Sequence, residues 1–393
     1  MNKIGLIVIL IIVLILTSIS IYIFVSKEEK PYNENNNNIN TNTNPNENNN
    51  EEESLNNNDI FGMYYDKANE LLKNMNIDEK ISQTLLVRYP DNAKDILEKY
   101  QFGGYVFFEK DFTNKTKQEV GDMINELQEV SKIPILTAVD EEGGIVNRIS
   151  TNPNLVETPF LSSQQLYKQG GFDLIKKDTI NKSKILSDLG INLNLAPVVD
   201  VSTNPNDYMY NRTIGQDTTI TSTYAKTVIE ASKNTRVSYT LKHFPGYGNN
   251  VDTHTSSSLD NRTLEDIKTN DLPPFEAGIK AKAEAVLISH NIVNSIDKNN
   301  PASLSESVHK LLTDDLDFNG IIITDAIDMG AITNIENVSS KAIKAGNHLI
   351  ITTNYLESIN DIKNAINNNE ISIEELDKVV IKILAWKYYK GLL

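Results

Sequence analysis

The sequence predicts an α/β fold in which eight parallel strands close into a (β/α)8 barrel of the TIM type. Three observations predict it. Eight short apolar runs alternate with helix-like stretches between residues 84 and 353. Such alternation builds a parallel sheet covered by helices, and eight strands are the number that closes a barrel. Five of the runs stop at an acid or a histidine: Asp140, Asp200, His243, His290 and Asp325. In a barrel, strand ends converge on the face where active sites are built. No Gly-x-Gly-x-x-Gly follows any run, which speaks against an open dinucleotide-binding sheet.

Ahead of that body lie two segments of other character. Residues 4–25 are almost wholly apolar, with Thr17, Ser18, Ser20 and Tyr22 as the only polar side chains. A bilayer core takes about 20 residues. A secretory signal has a shorter apolar core and a small-residue cleavage site, and no Ala-x-Ala follows here. The chain has no cysteine, which excludes a lipid-modified cysteine anchor. Residues 1–26 therefore read as a single-pass signal-anchor at the cell membrane, with the body extracellular. Lys3 before the span and Lys27 and Lys30 after it orient it only weakly. Cleavage near Ser18 or Ser20, giving a secreted protein, is the alternative. Residues 27–59 read as a disordered linker. Of the 30 residues from 31 to 60, 15 are Asn and 6 are Asp or Glu. Such a stretch buries too little apolar surface to offset its chain entropy.

Residues 60–393 then form one domain, long by the general prior but ordinary for an α/β barrel. Its apolar runs are Thr84-Leu85-Leu86-Val87, Gly104-Tyr105-Val106-Phe107-Phe108, and the stretches 133–140, 193–200, 237–243, 285–290, 320–325 and 348–353. Helices are expected over 63–74, 93–100, 116–130, 166–189, 222–232, 272–283, 306–316, 339–345 and 357–367. The net charge of −16 without a basic patch excludes nucleic acid as a partner. A monomer needing no cofactor and no metal is expected.

The chemistry gathers at the strand ends. Lys242-His243-Phe244-Pro245-Gly246-Tyr247-Gly248-Asn249-Asn250-Val251-Asp252-Thr253-His254 places two of the five histidines in thirteen residues. Asp252 can hold His254 in one tautomer and raise its basicity, which suits a proton shuttle. Asp140-Glu141-Glu142-Gly143-Gly144-Ile145-Val146-Asn147-Arg148 adds three acids, a flexible Gly pair and an Arg after the third run. Asn211-Arg212 follows the fourth. A carboxylate at Asp325 can attack a glycosidic carbon while His254 protonates the leaving oxygen, which is the retaining double displacement with a histidine as acid/base. The rival reading is a metal hydrolase with His243, His254, His290 and Asp325 as ligands. No His-x-His or His-x-x-x-His supports it.

The body resembles glycoside hydrolase family 3, in its bacterial β-N-acetylglucosaminidase branch. The resemblance rests on Val139-Asp140-Glu141-Glu142-Gly143-Gly144 with Arg148, Leu195-Ala196-Pro197-Val198-Val199-Asp200-Val201, Asn211-Arg212 and Lys242-His243-Phe244-Pro245-Gly246. It continues through Arg262-Thr263-Leu264-Glu265, Asp271-Leu272-Pro273-Pro274-Phe275, Pro301-Ala302-Ser303-Leu304-Ser305 and Ile323-Thr324-Asp325-Ala326-Ile327-Asp328-Met329. It implies Asp325 as nucleophile and His254 with Asp252 as the acid/base dyad. It implies Asp140, Arg148, Arg212, Lys242 and His243 as binding residues for a terminal β-linked N-acetylglucosamine, of the peptidoglycan or chitooligosaccharide kind. The chain departs from the family loop, Pro-Gly-His-Gly-Asp-Thr, at Tyr247, Asn249 and Asn250, and it lacks the Pro expected within 255–258. A β-glucosidase or a phosphorylase on the same fold is the alternative. A non-catalytic wall-binding protein and the metal hydrolase are more remote.

Overall fold

The computed structural model describes residues 59–248 and 258–393. The expected anchor (1–26) and all of the linker (27–59) but Asp59 lie outside them. So do Asp252 and His254. No helix among the described residues is long and apolar enough to cross a membrane. Asp59, the first described residue, accepts hydrogen bonds from the Phe61 backbone N–H (2.9 Å) and the Tyr65 hydroxyl (2.5 Å).

All eight expected strands form. They are β1 (Leu85–Arg88), β2 (Gly104–Phe107), β3 (Leu136–Val139), β4 (Leu193–Asn194), β5 (Ser238–Phe244), β7 (Ala285–Ile288), β9 (Ile321–Thr324) and β10 (Ile350–Thr352). They pair in parallel in the order β10-β1-β2-β3-β4-β5-β7-β9. The last seam closes through one bridge, Ile323 to Leu349, so the sheet is a nearly closed barrel. Two further strands, β6 (Leu259–Asp260) and β8 (Ile292–Val293), pair with each other in the loops beyond β5 and β7. The barrel strands are short and buried almost throughout, as parallel strands covered on both faces must be.

The helices keep to the expected places, with shifted ends. Ala93–Tyr100 and Lys117–Val130 match closely, and Thr116 with Glu119 caps the second in a reciprocal box. Among the described residues, four α-helices go beyond the expectation: Ile77–Gln83, Glu109–Phe112, Leu264–Asn270 and Ile373–Tyr389. The last buries Trp386 and Lys387 completely. The Trp386 indole N–H donates to Glu284 (2.9 Å), and Lys387 donates to Gln83 (2.8 Å). Glu284 and Gln83 precede β7 and β1, so this helix ties together the amino-terminal ends of the strands. The opposite, carboxy-terminal ends are left to the loops.

Candidate active site

Six of the residues expected to act together line one cavity of about 540 Å³ at the carboxy-terminal ends of the strands: Asp140, Arg148, Arg212, Lys242, His243 and Asp325. Each reaches it from a different place in the sequence. Asp140 follows β3, Lys242 and His243 end β5, and Asp325 follows β9. Arg212 ends a short 3-10 turn, Tyr210–Arg212.

Lys242 is the centre of the floor. It is only 3% exposed and donates to both Asp140 (2.7 Å) and Glu142 (2.7 Å). Arg212 grips Glu142 with two parallel bonds, Nε at 3.0 Å and Nη2 at 2.7 Å. Burial opposes the charge on Glu142, but Lys242 and Arg212 outweigh it and hold the carboxyl far below the usual carboxylate range. Burial likewise opposes the ammonium of Lys242, and Asp140 and Glu142 together raise its pKa. Each buried charge of this network has a partner of opposite sign.

His243 is held from below. Its Nδ1 bonds Asp200 at 2.8 Å, and Asp200 also accepts the backbone N–H groups of His243 (3.2 Å) and Tyr247 (2.7 Å). A carboxylate only accepts, so Nδ1 carries the proton. Nε2 faces the Arg212 guanidinium at 3.3 Å and accepts from it. Asp200 therefore orients a neighbour and does not line the cavity. Tyr247, which stands where the family loop has histidine, is buried with Val198 and Met209, its ring edge-on to His243. Gly246 has φ +116°, and an added Cβ would meet Asp271 at 2.5 Å, so only glycine fits that turn.

Asp325 is half-buried and opens to the cavity. Burial raises its pKa, but His290, His243, the Ala326 backbone N–H and Lys242 outweigh that and hold it below the ordinary value. The Ala326 N–H donates to Asp325 Oδ1 (2.8 Å), and His290 Nε2 donates to the Ala326 carbonyl (3.0 Å). His290 is fully buried and also bonds Ser303 (2.7 Å). It is a hydrogen-bonded core histidine that fixes the peptide beside Asp325. Among the described residues no group of three or more His, Asp or Glu could hold a metal ion.

Two positioning acids carry no individual sign in the sequence. Glu141 is fully buried and accepts the backbone N–H groups of Arg148 (2.8 Å), Ile149 (2.7 Å) and Ser150 (3.3 Å), folding the chain back so that Arg148 faces Asp140. Glu142 is the anchor described above. The Gly143-Gly144 pair that follows them is a required turn, not a flexible hinge. Both residues have positive φ, and a Cβ on Gly143 would lie 2.2 Å from the Leu161 carbonyl oxygen. Arg88 and Phe108 also line the cavity and were not singled out by their sequence context.

The family model for the "Glycosyl hydrolase family 3 N terminal domain" matches residues 76–386. The chain belongs to glycoside hydrolase family 3. It is 28% identical over 331 residues to beta-hexosaminidase A of Pseudoalteromonas piscicida, covering 76% of this chain and 55% of that one. A beta-hexosaminidase of Stenotrophomonas maltophilia is 30% identical over 244 residues, covering 61% of this chain and 71% of the relative. Among solved structures, a family 3 beta-N-acetylglucosaminidase from Paenibacillus sp. superposes with a TM-score of 0.76 at 25% identity, covering 81% of this chain and 63% of that one. The chain thus spans little more than half of the first relative and under two thirds of the solved structure.

Proposed function

We propose that this family 3 chain is a retaining exo-β-N-acetylglucosaminidase, acting on terminal β-linked N-acetylglucosamine of the peptidoglycan-fragment or chitooligosaccharide kind. One observation carries the reading. Asp325, a carboxylate in no ion pair among the described residues, opens into a cavity whose floor is a closed network of Asp140, Lys242, Glu142, Arg212 and His243. Such a floor grips sugar hydroxyls with charged donors and acceptors of fixed position. Its surroundings hold the pKa of the nucleophile below the ordinary carboxylate value, which keeps it ionised at neutral pH.

In the first step an oxygen of Asp325 bonds to the anomeric carbon as the bond to the leaving oxygen breaks. His254, steadied by Asp252, gives its proton to that oxygen. In the second step His254 takes a proton from water, the water oxygen bonds to the anomeric carbon, and Asp325 is released. Asp140, Arg148, Arg212, Lys242 and His243 hold the terminal sugar. The names borne by the relatives support the amino-sugar substrate. The apolar stretch 4–25 supports a membrane anchor that holds the body outside the cell.

The test is hydrolysis of two aryl β-glycosides, one of N-acetylglucosamine and one of glucose, each with and without phosphate. Release from the N-acetyl substrate alone, abolished in Asp325→Ala, is the expected result. A preference for glucose would refute the amino-sugar assignment, and turnover only with phosphate would refute hydrolysis.

A further inference from the structure

The floor of the cavity balances its own charge. Lys242 and Arg212 face Asp140 and Glu142 within hydrogen-bond distance. Two more cations line the same cavity and take little part in that balance. Arg88 is exposed at the end of β1 and makes no ion pair among the described residues. Arg148 reaches Asp140 only at 3.9 Å, beyond a hydrogen bond. Its Nε is buried with no hydrogen-bond partner among the described residues.

Both guanidiniums lie against one ring. The Arg88 guanidinium carbon is 4.3 Å from the Phe108 centroid, and that of Arg148 is 5.3 Å away. Cation–π attraction holds each one there. It also gathers two like charges about one ring, and like charges repel. An oxyanion seated across them relieves that repulsion. The guanidinium fork matches a carboxylate or a phosphate with two parallel N–H···O bonds. The carboxylates Asp325 and Asp328 follow β9, on the far side of β10 from Arg88. An anionic group on a ligand therefore finds one favourable side of this cavity, between the ends of β1 and β3.

We propose that Arg88 and Arg148, held together by Phe108, form an oxyanion subsite at the rim of the cavity. It takes a carboxylate or phosphate group placed beside the bond being cleaved, borne by the leaving part of the glycoside or arriving as free phosphate. Arg148 is shared with the grip on the terminal sugar, and Arg88 determines specificity for the leaving side. The proposal rests on the glycosidase reading above.

The experiment compares two aryl β-N-acetylglucosaminides whose leaving groups are 4-hydroxybenzoate and 4-hydroxybenzamide. They share a shape and differ in charge. The full chain is assayed beside Arg88→Gln, Arg88→Lys and Arg88→Glu. The ratio of kcat/KM for the acid to that for the amide cancels any general loss of activity or folding. That ratio is expected to fall about tenfold in Arg88→Gln, in keeping with loss of one charge-assisted contact. It recovers in part in Arg88→Lys and falls further in Arg88→Glu. The same ratio in all four proteins overturns the leaving-group form of the subsite. Inorganic phosphate separates the two sources. As the acceptor, it raises turnover of the amide substrate and yields the sugar phosphate, and both effects are lost in Arg88→Gln. As a mere competitor, it inhibits only the benzoate substrate. No effect of phosphate and no change in ratio together overturn the proposal. Turnover of neither glycoside overturns the glycosidase reading instead. Calorimetric titration of benzoate and phosphate into the full chain and Arg88→Gln then decides the subsite, with equal heats counting against it.

Discussion

Lys242 touches Asp140 and Glu142 at once, and among the described residues no other cation does so at hydrogen-bond distance. Removing it leaves two carboxylates facing Arg212 and the more distant Arg148. Lys242→Ala is therefore expected to cost about 3 kcal/mol of stability, the order seen when one partner of a buried pair is removed. It should also lower kcat/KM by at least about 100-fold, as the loss of a charged group that touches substrate does. Thermal unfolding and kinetics on the same preparation measure both. An unchanged melting temperature would mean that the network does not bear on the fold. At this scale the sequence was informative where chemistry is local. Asp140, Lys242, His243 and Asp325 stand out because each ends an apolar run. Glu141 and Glu142 did not, because their partners lie in backbone amides several residues on and in Arg212, 70 positions away. Arg88 ends a run just as Asp140 does, but an arginine there looks like any surface cation until Phe108 and Arg148 are placed around it.

Among the elements, the helix Ile373–Tyr389 shows what patterning conceals. Ser372 and Glu375 cap it in a reciprocal box. Its buried face includes Lys387, which a binary pattern assigns to solvent. The Lys387 ammonium has Gln83 as its hydrogen-bond partner, and burial pushes its pKa down to about 7. An unfolded chain keeps that proton up to the ordinary lysine range, about pH 10. Between these limits the unfolded state binds more protons, so stability rises with pH. Below about pH 7 both states are protonated, and the penalty of the buried charge is fully present. Lys387→Met removes this titration. Its unfolding free energy should climb less than that of the parent between about pH 6 and about pH 9, with its relative advantage greatest at the acid end. Urea denaturation at those two pH values checks it, and parallel changes in both proteins would contradict it. The loops after β3 and β5 were legible as loops, but not as rigid ones. The Gly143-Gly144 turn and Gly246 are fitted against neighbours that come from elsewhere in the chain.

At the scale of the whole molecule, the barrel was legible because eight buried strands and their intervening helices repeat one unit, and repetition survives errors at element ends. Strand and helix bounds moved by a few residues, as with Ser163–Asp188 against an expected 166–189. The fit between distant loops has no such redundancy, and the site depends on that fit. The account therefore turns on whether Asp325, brought into the cavity by β9, forms the bond to the sugar. The direct measurement is incubation of the chain with a 5-fluoro glycosyl fluoride of N-acetylglucosamine, then mass spectrometry of its peptides. The fluorine slows release of the intermediate more than its formation, so the adduct accumulates. The account predicts one sugar on the peptide containing Asp325, absent from Asp325→Asn. A sugar on another residue, or turnover of the reagent with no adduct at all, would contradict it.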